Sequence, residues 1–164
     1  MASTQPAAAA PEGVRKRACR LALSATALCL FGALALLWRC GPHALYFDAL
    51  GLFGFEPFRF PFLDIHAVLA AVQCQRAGID VYLYNPCDAL GRLHVYSPLW
   101  LALTPGFLDT TATTAVGFAL DLMFILSLAV AIRPVSWRET LIVGLVALSP
   151  MTVYALERAN CDLA

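Results

Sequence analysis

From Leu21 to Trp38 the chain carries no charged residue, and at about 1.5 Å per residue such a run approaches the ~20 residues that a bilayer core demands. A second run, Ala112 to Ile132, is interrupted only by Asp121, and a third, Thr140 to Leu156, contains Pro150. Each reads as a transmembrane helix. Composition agrees: 60% of the residues are hydrophobic and 13% charged, against roughly 45–50% and about 25% in ordinary soluble domains. The expected fold is therefore an all-α integral membrane protein with about three transmembrane helices. The net charge of zero gives no field to recruit a polyanion, so nucleic acid is set aside as a partner.

Basic residues set the expected orientation. Arg15, Lys16, Arg17 and Arg20 precede the first span, and Arg133 and Arg138 lie between the second and third. The positive-inside rule puts both regions in the cytoplasm. Residues 1–20 are then a disordered basic cytoplasmic tail, 39–111 a large outer loop, 133–139 a cytoplasmic link, and 157–164 an outer polar segment on the same face as the loop. The apolar stretch Val95 to Leu108 is short for a crossing and holds Pro98 and Pro105, which favours a surface helix; a tilted extra span is the alternative. A cleaved signal peptide competes with an uncleaved anchor for residues 1–37, but its apolar run exceeds the usual 7 to 15 residues.

Most of the polar chemistry sits in the outer loop. Ile65, Val68, Leu69 and Val72 recur at helical spacing, so residues 64–77 are expected to form an amphipathic juxtamembrane helix, with Asp64 placed to act as its N-cap. Gly78 suits the C′ position, and Asp80 to Tyr84 lead to a turn at Asn85-Pro86. A second juxtamembrane helix is expected over 95–108. Phe58, Phe60, Phe62, Tyr82, Tyr84, Tyr96 and Trp100 fit a layer at the headgroup level. The six cysteines form no CxxC pair and no metal-like spacing with histidine, so no metal site is expected. Cys74 and Cys87 share the outward loop, where they either form a disulfide or serve as small buried hydrophobes.

The order Asp64, helix, Gly78-Ile79-Asp80-Val81-Tyr82, Asn85-Pro86, Tyr96-Ser97-Pro98-Leu99 resembles the first outer loop of the polytopic GT-C glycosyltransferases, and within them the polyprenol-phosphate-mannose-dependent mannosyltransferases. Glu157-Arg158-Ala159-Asn160 resembles a second polar motif that those proteins carry at the end of a later span. The resemblance covers about residues 60–164. It implies a GT-C-like N-terminal portion, a hexosyl donor such as a mannosyl one, linked to polyprenyl phosphate as co-substrate with no other cofactor, a glycan or glycolipid acceptor, and transfer on the outer face of a bacterial plasma membrane. GT-C proteins carry more than three spans, so it also implies that the chain corresponds to the front part of a longer protein.

Such chemistry needs a carboxylate to take the acceptor's proton and a cation to receive the leaving phosphate. Asp64 is the candidate base and Arg158 the candidate phosphate ligand. Asn160 is placed as a polar positioner, and Tyr82 and Tyr96 flank the sugar or the lipid headgroup. Plainer roles compete: Arg158 as a snorkelling interfacial residue, Asn160 as a cap, Tyr82 as a belt aromatic. Asp48 and Glu56 are other loop carboxylates. The second function class is a non-enzymatic scaffold or transporter, in which the intramembrane Asp121 lines an ion or substrate path.

Overall fold

The computed structural model describes residues 11–54, 56, 58 and 60–160. Seven α-helices follow one another: α1 (Glu12–Cys40), α2 (His43–Gly51), α3 (Leu63–Arg76), α4 (Pro98–Leu103), α5 (Thr113–Ala131) entered through a 3-10 turn at Thr110–Ala112, α6 (Trp137–Ala147) and α7 (Pro150–Arg158). No strand occurs among the described residues. Helix α1, at 29 residues, is about 44 Å long and exceeds the ~30 Å hydrocarbon core. Helix α5 with its lead-in turn, at 22 residues, is also long and apolar enough to cross.

Several elements differ from the sequence expectation. Helix α1 starts at Glu12 rather than at residue 21, so the basic segment Arg15 to Arg20 is helical and not a disordered tail; Glu12 supports that first turn through its ion pair with Lys16. The part of the expected tail before residue 11 lies outside the described residues. The expected single span over 140–156 is two helices bent by 52°. Pro150 cannot donate to the preceding turn, so α6 stops and Ser149 caps a new helix with Pro150 in its first turn. The surface helix expected over 95–108 shrinks to the six residues of α4, started by the Ser97 cap and ended before Pro105. At about 9 Å it is far too short to cross a bilayer.

Helix α3 is not amphipathic, contrary to expectation. Besides Ile65, Val68, Leu69 and Val72, the residues Ala67, Ala70, Ala71 and Cys74 are buried too, because their small side chains let other segments close on the remaining faces. Helices α4, α5 and α7 all pack on it. One cluster joins Phe62, Ile65, Val68 and Leu69 to Ala159, with Trp100, Leu108, Val116 and Leu120 against them. A second joins Ala71, Val72 and Cys74 to Val81 and Leu101. Helix α1 lies along α5, with the Phe31 and Phe118 rings edge-on at 5.8 Å. It also meets α2 and α6, and apart from the buried Cys19 its residues are half-buried or exposed, which leaves apolar surface available to lipid.

The entry into α3 is the tightest point of the fold. Phe62 occupies the N-cap position in the left-handed region, with φ 66°, a conformation unusual for a bulky residue. Its N–H donates to the Glu157 carbonyl at 2.6 Å, and its ring stacks edge-on with Phe118 at 4.8 Å. The ring also covers Gly117 so closely that a Cβ there would fall 2.2 Å from Phe62 Cγ. The exit follows the expected pattern: Gly78 has φ 79°, and the bonds Gly78 N–H to Gln75 O and Ile79 N–H to Cys74 O form a Schellman ending.

Candidate active site

Asp64 does not cap α3, because it lies one position inside the helix. It is buried, and its partner is Arg158, 94 residues away at the end of α7. The Phe62 to Glu157 backbone bond fixes the two helix ends side by side, and α7 ends in a left-handed turn at Ala159, φ 44°, that returns the chain onto α3. Arg158 Nε donates to Asp64 Oδ2 at 3.0 Å, and Arg158 Nη2 donates to Oδ1. The pair is therefore bidentate. Arg158 Nη1 donates to the Tyr154 hydroxyl at 3.0 Å, and the guanidinium lies 5.3 Å from the Tyr154 ring centroid and 5.4 Å from that of Phe58.

A second guanidinium faces the same carboxylate. Arg92 Nη1 stands 3.7 Å from Asp64 Oδ1. Arg92 is itself held by the fully enclosed Asp88 carboxylate, through Nε at 2.9 Å and Nη2 at 2.8 Å, and Nη2 also donates to the Leu63 carbonyl at 2.8 Å. Burial alone would raise the Asp88 pKa, but the Arg92 hydrogen bonds and charge outweigh it and hold the carboxyl below its ordinary value. Asn85 Nδ2 donates to the Arg92 carbonyl at 3.0 Å. The loop bearing these groups is tied to α3 by a Cys74–Cys87 disulfide, with Cα atoms 5.8 Å apart, and by Val81 packed on Ala71 and Val72. Asp88, Arg92, Asp64 and Arg158 thus form one neutral chain of alternating charge.

One histidine borders this network, and a second lies further along the loop that carries Arg92. His66, one turn along α3 from Phe62, has Nδ1 3.0 Å from Thr113 Oγ1, and its Nε2 is enclosed without a hydrogen-bond partner among the described residues. Burial is the main cause that lowers its pKa, and Arg92 adds to it against the opposing Asp88 charge. His94 lies between the rings of Tyr82 at 5.4 Å and Tyr96 at 6.0 Å, and burial lowers its pKa against an opposing effect of the Ser97 backbone.

The other candidates are scattered. Tyr82 lines a small hollow with Gln75, Gly78 and Asp80, at the opposite end of α3 and roughly 16 Å along that helix from Asp64. Tyr96 packs against the α3 cluster. The Asn160 N–H closes the last turn of α7 on the Ala155 carbonyl. Asp48 and Glu56 are exposed, so neither shares the buried setting of Asp64. Asp121 is buried in α5 next to the likewise buried Glu157, and both are electrostatic neighbours of Tyr46. Among the described residues no three His, Cys, Asp or Glu side chains converge as a metal site.

Sequence reasoning missed Arg92 and Asp88. Their one local signal is a four-residue spacing that reads as a helical ion pair, whereas here it closes a turn. No family model, curated protein or solved structure matches the chain.

Proposed function

We propose that the chain serves as a membrane glycosyltransferase that moves a hexose, mannose being the first candidate, from a polyprenyl-phosphate donor to a glycan or glycolipid acceptor. The reaction takes place on the outer face of a bacterial plasma membrane. One observation carries this reading: a buried carboxylate and a guanidinium separated by 94 residues meet bidentately beside membrane-length helices. The Cys74–Cys87 disulfide supports an outward loop, since such bonds persist in oxidising compartments. The basic start of α1 supports a cytoplasmic N-terminus.

In this mechanism the acceptor hydroxyl oxygen forms a bond to the anomeric carbon while the bond from that carbon to the phosphate oxygen breaks. Asp64 takes the hydroxyl proton, and the phosphate leaves with the electron pair and is received by Arg158. Tyr96, packed on the α3 cluster, and Asn160, at the end of α7, shape the sugar and headgroup environment, whereas Tyr82, at the other end of α3, is left out of it. The test is hexose transfer from a labelled polyprenyl-phosphate donor by the protein in proteoliposomes. Asp64→Asn is expected to lower turnover by about 10²-fold or more, the scale of a general base, with helicity and disulfide intact. Unchanged turnover removes Asp64 from the mechanism, and no transfer by the unaltered protein from any polyprenyl-phosphate hexose removes the reading.

A second reading, a transporter, is favoured by one observation: the buried carboxyl oxygens of Glu157 and one oxygen of Asp121 have no hydrogen-bond partner among the described residues. Ionisable groups at membrane depth often mark a transport path. Solute uptake by proteoliposomes that is abolished in Asp121→Asn would favour it.

A further inference from the structure

We infer that Arg92 and Arg158 together form a receptor for the phosphate of a phosphate ester, and that Asp64 occupies this receptor as a stand-in anion until the ester arrives. The inference rests on the glycosyltransfer reading and gives that site a second phosphate ligand and a trigger.

The donor count leads to it. A guanidinium carries five N–H donors. Arg158 directs two of them to Asp64 and one to Tyr154. Arg92 directs Nε to Asp88 and Nη2 to Asp88 and the Leu63 carbonyl. That leaves Nη1, the nitrogen facing Asp64, at 3.7 Å and beyond hydrogen-bond length. Both oxygens of Asp64 already accept from Arg158, so the carboxylate has no need of a second cation. A phosphate presents more oxygens than a carboxylate and spans two guanidiniums where a carboxylate fills one.

Arg92 is also built into place. The Asp88 carboxylate accepts from the backbone N–H groups of Leu90 and Arg92 as well as from the Arg92 side chain, and the disulfide at Cys87 anchors the adjoining residue. A fork held this firmly loses little further freedom on meeting a ligand. The side chains of Arg92 and Arg158 are 27% and 15% exposed, against 6% for Asp64, so an incoming anion meets the guanidiniums first. When phosphate takes them, Asp64 loses its bidentate partner. It is then a carboxylate free to accept a proton, so donor binding and base release become one event.

The test uses the full chain in nanodiscs and measures binding of farnesyl phosphate, with inorganic phosphate and farnesol as parallel probes. Arg92→Ala and Arg158→Ala are each expected to weaken farnesyl phosphate binding by about tenfold or more, the scale of lost hydrogen bonds to a charged group. Arg92→Lys falls in between, since it keeps the charge without the fork. Asp64→Asn removes the competing anion, so it tightens binding, and farnesyl phosphate raises its Tm by more than it raises that of the unaltered protein.

The same order with inorganic phosphate assigns recognition to the phosphate itself; an order confined to farnesyl phosphate assigns it to a lipid headgroup. Equal binding of farnesol overturns the proposal. So does unchanged affinity in Arg92→Ala, or weakened affinity in Asp64→Asn. Where Arg92→Ala loses its helical circular dichroism, the sign of the Asp64→Asn effect decides alone. The expected binding order without any hexose transfer would leave the receptor standing and remove the transferase reading. Transfer with binding indifferent to Arg92 would do the reverse.

Discussion

Removing either partner of the Asp64–Arg158 pair is expected to cost most of what removing both costs. The two side chains are 6% and 15% exposed, so each depends on the other for compensation. Stripping a buried charge of its partner costs about 3–5 kcal/mol. Arg158→Met keeps the aliphatic stem over Tyr154 and removes only the guanidinium, which leaves Asp64 facing Arg92 at 3.7 Å. That residual attraction places the loss near the lower end, at about 3 kcal/mol. Asp64→Asn preserves shape and leaves two guanidiniums facing a neutral amide, for a similar cost of about 3 kcal/mol. In the double variant neither stranded charge of the pair remains, so its total lies near that of either single change. The resulting coupling is on the order of 2–3 kcal/mol. Denaturant unfolding in detergent micelles, followed by the fluorescence of Trp38, Trp100 and Trp137, measures all four proteins. Single effects that add to within about 0.5 kcal/mol would refute the interaction and the packing of α7 on α3 with it.

Gly117→Ala drives a methyl group into the Phe62 ring and should lower stability by about 1–3 kcal/mol in the same assay, while Gly144→Ala, whose Cβ meets nothing within 4 Å, leaves it unchanged or higher. Cys87→Ser opens a bridge with a sequence separation of 13; a loop of that size is worth about 3 kcal/mol, and the expected loss, read as a fall in unfolding midpoint equal to that caused by reductant, must come with greater hydrogen exchange at residues 88 to 92. His66 and His94 both have folded-state pKa values below the ordinary 6.5. The unfolded chain therefore binds more protons in the window just below 6.5, so stability is fully present above that value and falls on acidification towards pH 5. His66→Gln and His94→Gln should each flatten that slope, and an unaltered slope in both would contradict their burial.

The two membrane-length helices were legible because length and a nearly uncharged run suffice to mark them, whereas the 52° break in the expected third span was not, although Pro150 is its physical cause. Gly78 was legible for a similar reason, since one residue type suits one backbone region. Helix α2 was not: HALYFDALG carries no side-chain cap at either end, and its Tyr46 and Leu50 are buried by tertiary contact with Val153. The burial of α3 was hidden by its alanines, which read as neutral in a periodicity and become informative only once neighbouring segments close on them. Asp64 reads from the sequence both as a candidate base and as an N-cap, and the structure removes the cap, since Phe62 holds that position. Arg158 reads as a residue of the same face, but its direct pairing with Asp64 across 94 residues is beyond the reach of any local pattern. Arg92 is invisible for the complementary reason, being one basic residue in a loop whose turns are accounted for by Asn85-Pro86 and Gly78.

What separates this network from a plain tie between helices is its surplus. A buried ion pair is weak evidence for stability, because apolar residues of similar volume often hold two helices as well or better. Here the junction of α3 and α7 already has an apolar tie, with Ala159 packed against Phe62, Ile65, Val68 and Leu69, and a backbone tie through Phe62 and Glu157. The carboxylate and its bidentate guanidinium are added to a joint that is closed without them, and a second guanidinium is then carried to the same carboxylate by a separate, disulfide-anchored loop. Stability alone explains neither addition. Three segments distant in sequence each contribute a charge to one partly open point, with the cations more exposed than the anion they surround. That is the arrangement expected where an external anion exchanges with an internal one, and it makes the ion pair the resting state of a site rather than the fastening of a fold.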